Sequence, residues 1–200
     1  WTDYIYDFLL TGRRPASYLL IALIGGFLLM LSLGTSKTIA VAGAIAIAFC
    51  SYNMQIIQVG HNTKMQAIAY FPWVLAGVIF TYKAALSRIR NDRGDGNTSL
   101  RGEDRRGNLW IPKTILGATL FAFALSMQIK ANHLQITYYL AIVIFAYAIG
   151  LLIYLCIKRK DLIKRFFAAS ALLLVIGIVG IATNANKLIP TYEYTPYTMR

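Results

Sequence analysis

Long apolar runs broken by short polar segments set the pattern of the chain. Six of them approach the ~20 residues that cross the hydrocarbon core of a bilayer. They lie at 18–33, 38–52, 65–82, 114–129, 134–157 and 166–183. Apolar residues continue through each run instead of alternating with polar ones, as barrel strands would require. Each run therefore predicts a helix. Gly25, Gly26, Gly43, Gly77 and Pro72 fall inside the runs, where neighbouring helices tolerate them. The expected fold is all-α, a polytopic transmembrane bundle of about six helices, with residues 1–200 forming part of one transmembrane domain.

Composition agrees with this pattern. Hydrophobic residues make up 58% of the chain and charged residues 14%, against roughly 45–50% and 25% in soluble domains. Disorder, a fibrous protein and an ordinary soluble enzyme are excluded. The net charge of +12 would suggest nucleic acid in a soluble protein, but here the cations lie between apolar runs. No GxxxxGK[ST] phosphate loop occurs, and no aromatic residues interleave the basic ones as a nucleic-acid surface needs. The expected partner is a lipid bilayer. Cys50 and Cys156 sit in separate apolar runs without a CxxC motif, so no disulfide or metal framework is expected.

The cations also orient the chain. With six crossings, segments 34–37, 83–113 and 158–165 share one side and hold 14 of the 20 Lys and Arg. The positive-inside rule places them in the cytoplasm of a bacterial inner membrane. The loop 83–113 reads as a solvated linker, and IKRKDLIKRFF as a topogenic, anionic-lipid anchor. Segments 1–16, 53–64, 130–133 and 184–200 then face outward. Both histidines, His61 and His133, are in this outer set, and ten of the thirteen tyrosines lie in or near it. An aromatic belt would explain part of that skew, but belts form at both interfaces.

Three expected helices begin on the outer side with polar or basic residues: Arg13, Arg14 and Pro15; His61, Asn62, Thr63 and Lys64; Lys130, Asn132 and His133. Asn62, Thr63 and Asn132 are candidate N-caps, and Pro15 suits a first helical turn. Free N–H groups and nearby cations favour an anion, and a phosphate at the membrane surface is the natural candidate. Capping with snorkelling of the cations to the headgroups is the plainer reading of any single terminus. Gln135, Tyr138 and Tyr139 follow His133 at helical spacing, which suits a sugar or headgroup as well as an interfacial belt. Taken together, His61, Lys64, Asn132, His133 and Tyr138 are expected to border one outer cavity, with Arg14 approaching it. The histidines lack the spacing of a metal site, so the cofactor is unknown, and no nucleophilic triad is visible.

Two outer motifs, GHNTKMQAIAYFPWVLAGV and QIKANHLQITYYLAIVIFAY, resemble the YfhO-type bacterial membrane proteins of the GT-C glycosyltransferase class. The similarity runs from GRRPASYLL to TYEYTPYTMR. It implies sugar transfer outside the membrane, from a polyprenyl-phosphate sugar donor to a cell-envelope glycan or lipid acceptor. On this resemblance GHNTK and NHLQITYY bind donor or acceptor, with Lys64 and Lys130 on the donor phosphate. The catalytic carboxylate of such enzymes belongs to an earlier outer loop, so the sequence is expected to be a segment of a longer chain and the base to precede Trp1. A DxD pair is absent, which leaves any divalent metal without sequence support. A transporter or flippase of a lipid-linked or anionic solute and a non-catalytic membrane assembly subunit are the rival readings. The first would place polar residues at the midplane.

Overall fold

Backbone groups inside a bilayer must pair within the chain, and the computed structural model meets that need with helices alone. It describes residues 15–87 and 110–194, and no strand occurs among them. Helix α1 runs Pro15–Leu33, α2 Lys37–Ala48, α3 Ser51–Gln58 and α4 Asn62–Leu86. After the undescribed part of the long loop come α5 (Trp110–Lys130), α6 (Leu134–Lys158), a 3-10 turn (Lys160–Leu162), α7 (Ile163–Ala182) and α8 (Ala185–Tyr194). Six stretches are long and apolar enough to cross a membrane, with α2 and α3 together forming one of them.

Local chemistry fixes the helix ends. Pro15 opens α1, where its missing N–H costs nothing. The Ser36 hydroxyl accepts from Ile39 N to cap α2. The second apolar run is not one helix: it breaks at Phe49 and Cys50. Asn53, buried just beyond, donates its side-chain amide to the Ile47 and Ala48 carbonyls (2.9 and 3.1 Å), which the break would otherwise leave unpaired. Much of the stretch expected as an outer loop at 53–64 is consequently helical.

Helix α4 is the central column. It packs along α1 on one flank and α5 on the other, and also meets α6 and α7. Small residues make this close packing feasible. A Cβ on Gly77 would lie 2.6 Å from Phe121 N, so only glycine admits the α5 backbone there. The Trp73 indole donates to the Ile21 carbonyl (2.8 Å), tying α4 to α1. Helix α2 packs on the outer side of α1, with Ala44 against Gly26. Helix α7 lies along α5 through Gly177 against Phe121 and Gly180 against Ala122.

The core falls into three clusters: a large one joining α4 to α7, one between α1, α2 and α4, and one of Tyr18, Ile56 and Met65. Short connections predict that the second and third runs, and the fourth and fifth, are antiparallel neighbours. The second run instead packs mainly on α1 and reaches α4 through α3 and Ala48, and α6 packs more on α4 than on α5. Gly177 and Gly180 let α7 lie close along the α5 flank. The outward faces of α6 and α7 stay apolar, with Phe145 69% and Leu174 63% exposed. These are surfaces for lipid, and the molecule is membrane-embedded.

Candidate functional site at the histidine-bearing end

The packing directions sort the helix ends. The starts of α1, α4 and α6 and the ends of α3, α5 and α7 lie at one end of the bundle, with both histidines. Lys37, Lys83, Lys113 and the run from Lys158 to Arg165 lie at the other.

His61 is placed by a tight helix-to-helix turn. Helix α3 closes with the His61 N–H on the Ile56 carbonyl (3.1 Å) and the Gly60 N–H on Ile57 (3.0 Å). This paired closure needs a left-handed residue at position 60, and Gly60 supplies it with φ +79°. The exposed His61 then occupies the N-cap position of α4, although its side chain makes no capping bond. Asn62 and Thr63 lie within the first turn of α4 and are not its caps, because the closing turn consumes the residues before them. Lys64 turns its ammonium over the Tyr52 ring of α3, 5.4 Å from the centroid.

The α5–α6 turn follows a similar plan. The Asn132 N–H donates to the Ile129 carbonyl (2.8 Å), and Asn132 itself is left-handed at φ 55°. It is therefore the hinge of the turn, and His133 takes the N-cap position of α6 without a side-chain capping bond. Asparagine tolerates this conformation better than most residues, which is what the position selects. Lys130 forms the last residue of α5 and has an interaction partner. On α6, Gln135 donates to the Tyr139 hydroxyl (3.0 Å). Tyr138 and Tyr139 stand exposed, ring centroids 6.0 Å apart and tilted by 55°. Arg14 lies outside the described residues.

One bond joins the two motifs. Gln128, fully buried near the end of α5, donates from Nε2 to the Ala67 carbonyl of α4 (3.2 Å). It ties the GHNTK turn to the KANH turn at their bases. The Gln128 Oε1, His133 Nδ1 and Thr137 Oγ1 atoms are buried and without a hydrogen-bond partner. Such groups cost free energy unless something pairs with them. A second tie comes from Asn184, which donates to the Ser126 carbonyl and hydroxyl (both 3.0 Å) and anchors the α7–α8 junction to α5.

The sequence assigns Gln128 and Asn184 no individual role, and Thr137 enters only as part of the NHLQITYY motif. Gln128 had a signal, since it follows Ala124 and Leu125 at the four- and three-residue spacing of one helix face. Chemically, the end offers amide, imidazole, hydroxyl and ammonium groups. Among the described residues the carboxylates are Asp161, at the basic end, and Glu193, in α8. No group of three metal-ligating side chains gathers among those residues, and Cys50 and Cys156 are free thiols.

A sequence profile of the family described as 7TM diverse intracellular signalling matches residues 38–200. No curated protein and no solved structure matches the chain.

Proposed function

The chain belongs to the 7TM diverse intracellular signalling family, and from that premise we propose that it is a membrane-embedded sensing module. The histidine-bearing end faces outward and takes up a phosphate-bearing amphiphile, and α4 carries the consequence to the basic, cytoplasmic end. The observation that carries this reading is the Gln128–Ala67 bond, which makes the two polar turns one structural unit. Helix α4 starts at that unit and ends beside Lys83, spanning about 37 Å at 1.5 Å per residue. Pro72 removes one rung of its hydrogen-bond ladder about three turns in, which gives the helix a point where it can bend. A ligand shifts such a lever only by its difference in affinity for two arrangements, typically 1–3 kcal/mol for coupled sites. The excess of cations at the far end supports placing that end in the cytoplasm.

A second reading is supported by the α6 face. Two exposed phenols beside a hydrogen-bonded Gln135 form a platform of the kind a sugar ring uses. Together with the resemblance to YfhO-type proteins, this favours transfer of a sugar from a polyprenyl-phosphate donor to a cell-envelope acceptor. The catalytic base would then come from outside the described residues.

One experiment separates the readings. The full-length protein, with Cys50 and Cys156 changed to serine, carries a fluorophore on a cysteine at position 95 and sits in nanodiscs. It is given polyprenyl phosphate, or a radiolabelled polyprenyl-phosphate sugar together with an envelope extract. The sensing reading predicts a change in emission that His61→Ala with His133→Ala removes, and no label passed to the extract. Label in the extract establishes transfer instead. Silence in both channels contradicts both.

A further inference from the structure

The elbow between α6 and α7 gathers positive charge at the level where two membrane-crossing helices end. Lys158, Arg159, Lys160, Lys164 and Arg165 fall within eight residues that hold a single acid, Asp161. Asp161 is engaged with Arg159, Oδ1 to Nε at 3.6 Å. The elbow is a built turn: the Arg159 N–H closes α6 on the Leu155 carbonyl (2.8 Å), and the Leu162 N–H returns to Arg159 (3.0 Å). Buried Leu162 pins it to the core. Lys160 and Lys164 stand in the open, whereas Arg165 is half-buried.

Arg165 is the telling residue. Its Nη1 is shielded from solvent and has no hydrogen-bond partner. A guanidinium does not relieve this by losing its proton, so a buried edge without an acceptor is unfavourable until an anion pairs with it. The neighbouring residue Phe166 stacks on Tyr82 (5.2 Å, 12°), and Tyr82 in turn shares a hydrogen bond with Ser170 (2.9 Å). On the lipid side the elbow is flanked by Ile157, 70% exposed, and Phe167, 57% exposed. Cations at headgroup depth above bare apolar surface complement a phospholipid, charged at one end and apolar along the rest.

We propose that the elbow from Lys158 to Arg165 binds the phosphate of an anionic phospholipid. Arg165 is the principal ligand, its side chain turning the shielded Nη1 out to the phosphate as a planar fork, Lys160 and Lys164 close around the headgroup, and the acyl chains run along Ile157 and Phe167. This goes beyond the sensing reading and does not depend on what the histidine-bearing end binds.

The test reconstitutes the full chain in nanodiscs of phosphatidylcholine mixed with phosphatidylglycerol, releases it into mild detergent and counts retained phosphatidylglycerol by native mass spectrometry. Wild type retains the anionic lipid. Arg165→Gln lowers retention about fivefold, the scale of one cation near an anionic leaflet, and Arg165→Lys lowers it less. Lys37→Gln, which removes a cation from α2 at the same end of the bundle, leaves retention unchanged. Equal retention by Arg165→Gln and wild type overturns the proposal, as does an equal loss in Lys37→Gln. If Arg165→Gln does not fold, the exposed pair Lys160→Gln with Lys164→Gln gives the same reading. Its expected loss is about tenfold or more, and unchanged retention again overturns the proposal.

Discussion

Gly60 and Gln128 do different work at the same end of the bundle. Gly60 permits a backbone conformation: at φ +79°, with nothing within 4 Å of an added Cβ, its cost on substitution is conformational and not steric. Gly60→Ala should therefore destabilise by about 1 kcal/mol, read as a fall in the detergent melting temperature with ligand response retained. Gln128 supplies a bond between helices, and such bonds in membranes average only ~0.6 kcal/mol. Gln128→Leu keeps the volume and removes the unpartnered Oε1 together with the bond. Its melting temperature should stay close to wild type while the response of the histidine-bearing end falls. A large loss of stability with the response intact would make Gln128 a structural tie only.

Glycine at two helix positions shows how packing decides an element's tolerance. Gly77→Ala drives a Cβ into the α5 backbone, whereas Gly150 on α6 has nothing within 4 Å. Gly77→Ala should lose about 1–3 kcal/mol by overpacking. Gly150→Ala should gain up to about 1 kcal/mol of helix propensity. Thermal unfolding of the two variants side by side checks the pair. The six apolar runs were legible because burying some twenty apolar residues in lipid outweighs any local preference. The break at Phe49 was not, because neither proline nor glycine marks it, and its repair by Asn53 depends on a carbonyl six residues back. The caps were misread for a related reason. Asn62 and Asn132 carry the side chains of good N-caps, but each turn's closure decides which residue stands at the cap. At Asn132 the side chain's other aptitude, tolerance of a left-handed backbone, prevailed.

At the scale of the whole molecule, chain order and spatial order diverge. Helix α4 is flanked by α1 and α5, α2 packs mainly on α1, and α6 leans on α4 more than on α5, the partner its short turn suggests. Sequence periodicity carried little of this, since runs that are apolar on every face do not say which face meets a neighbour. The charge asymmetry was legible and leads to a topological expectation: a cysteine at position 95 should label only from the cytoplasmic side. In the sensing reading the two polar turns form one outward-facing binding unit. The most direct test places single cysteines at Val59 and Leu134, exposed neighbours of His61 and His133, in a background lacking Cys50 and Cys156. Intact cells are treated with a membrane-impermeant thiol reagent, with and without added polyprenyl phosphate. Both positions should label from outside, and the amphiphile should protect both. Labelling of one position only, or of both without protection, would contradict the sensing reading.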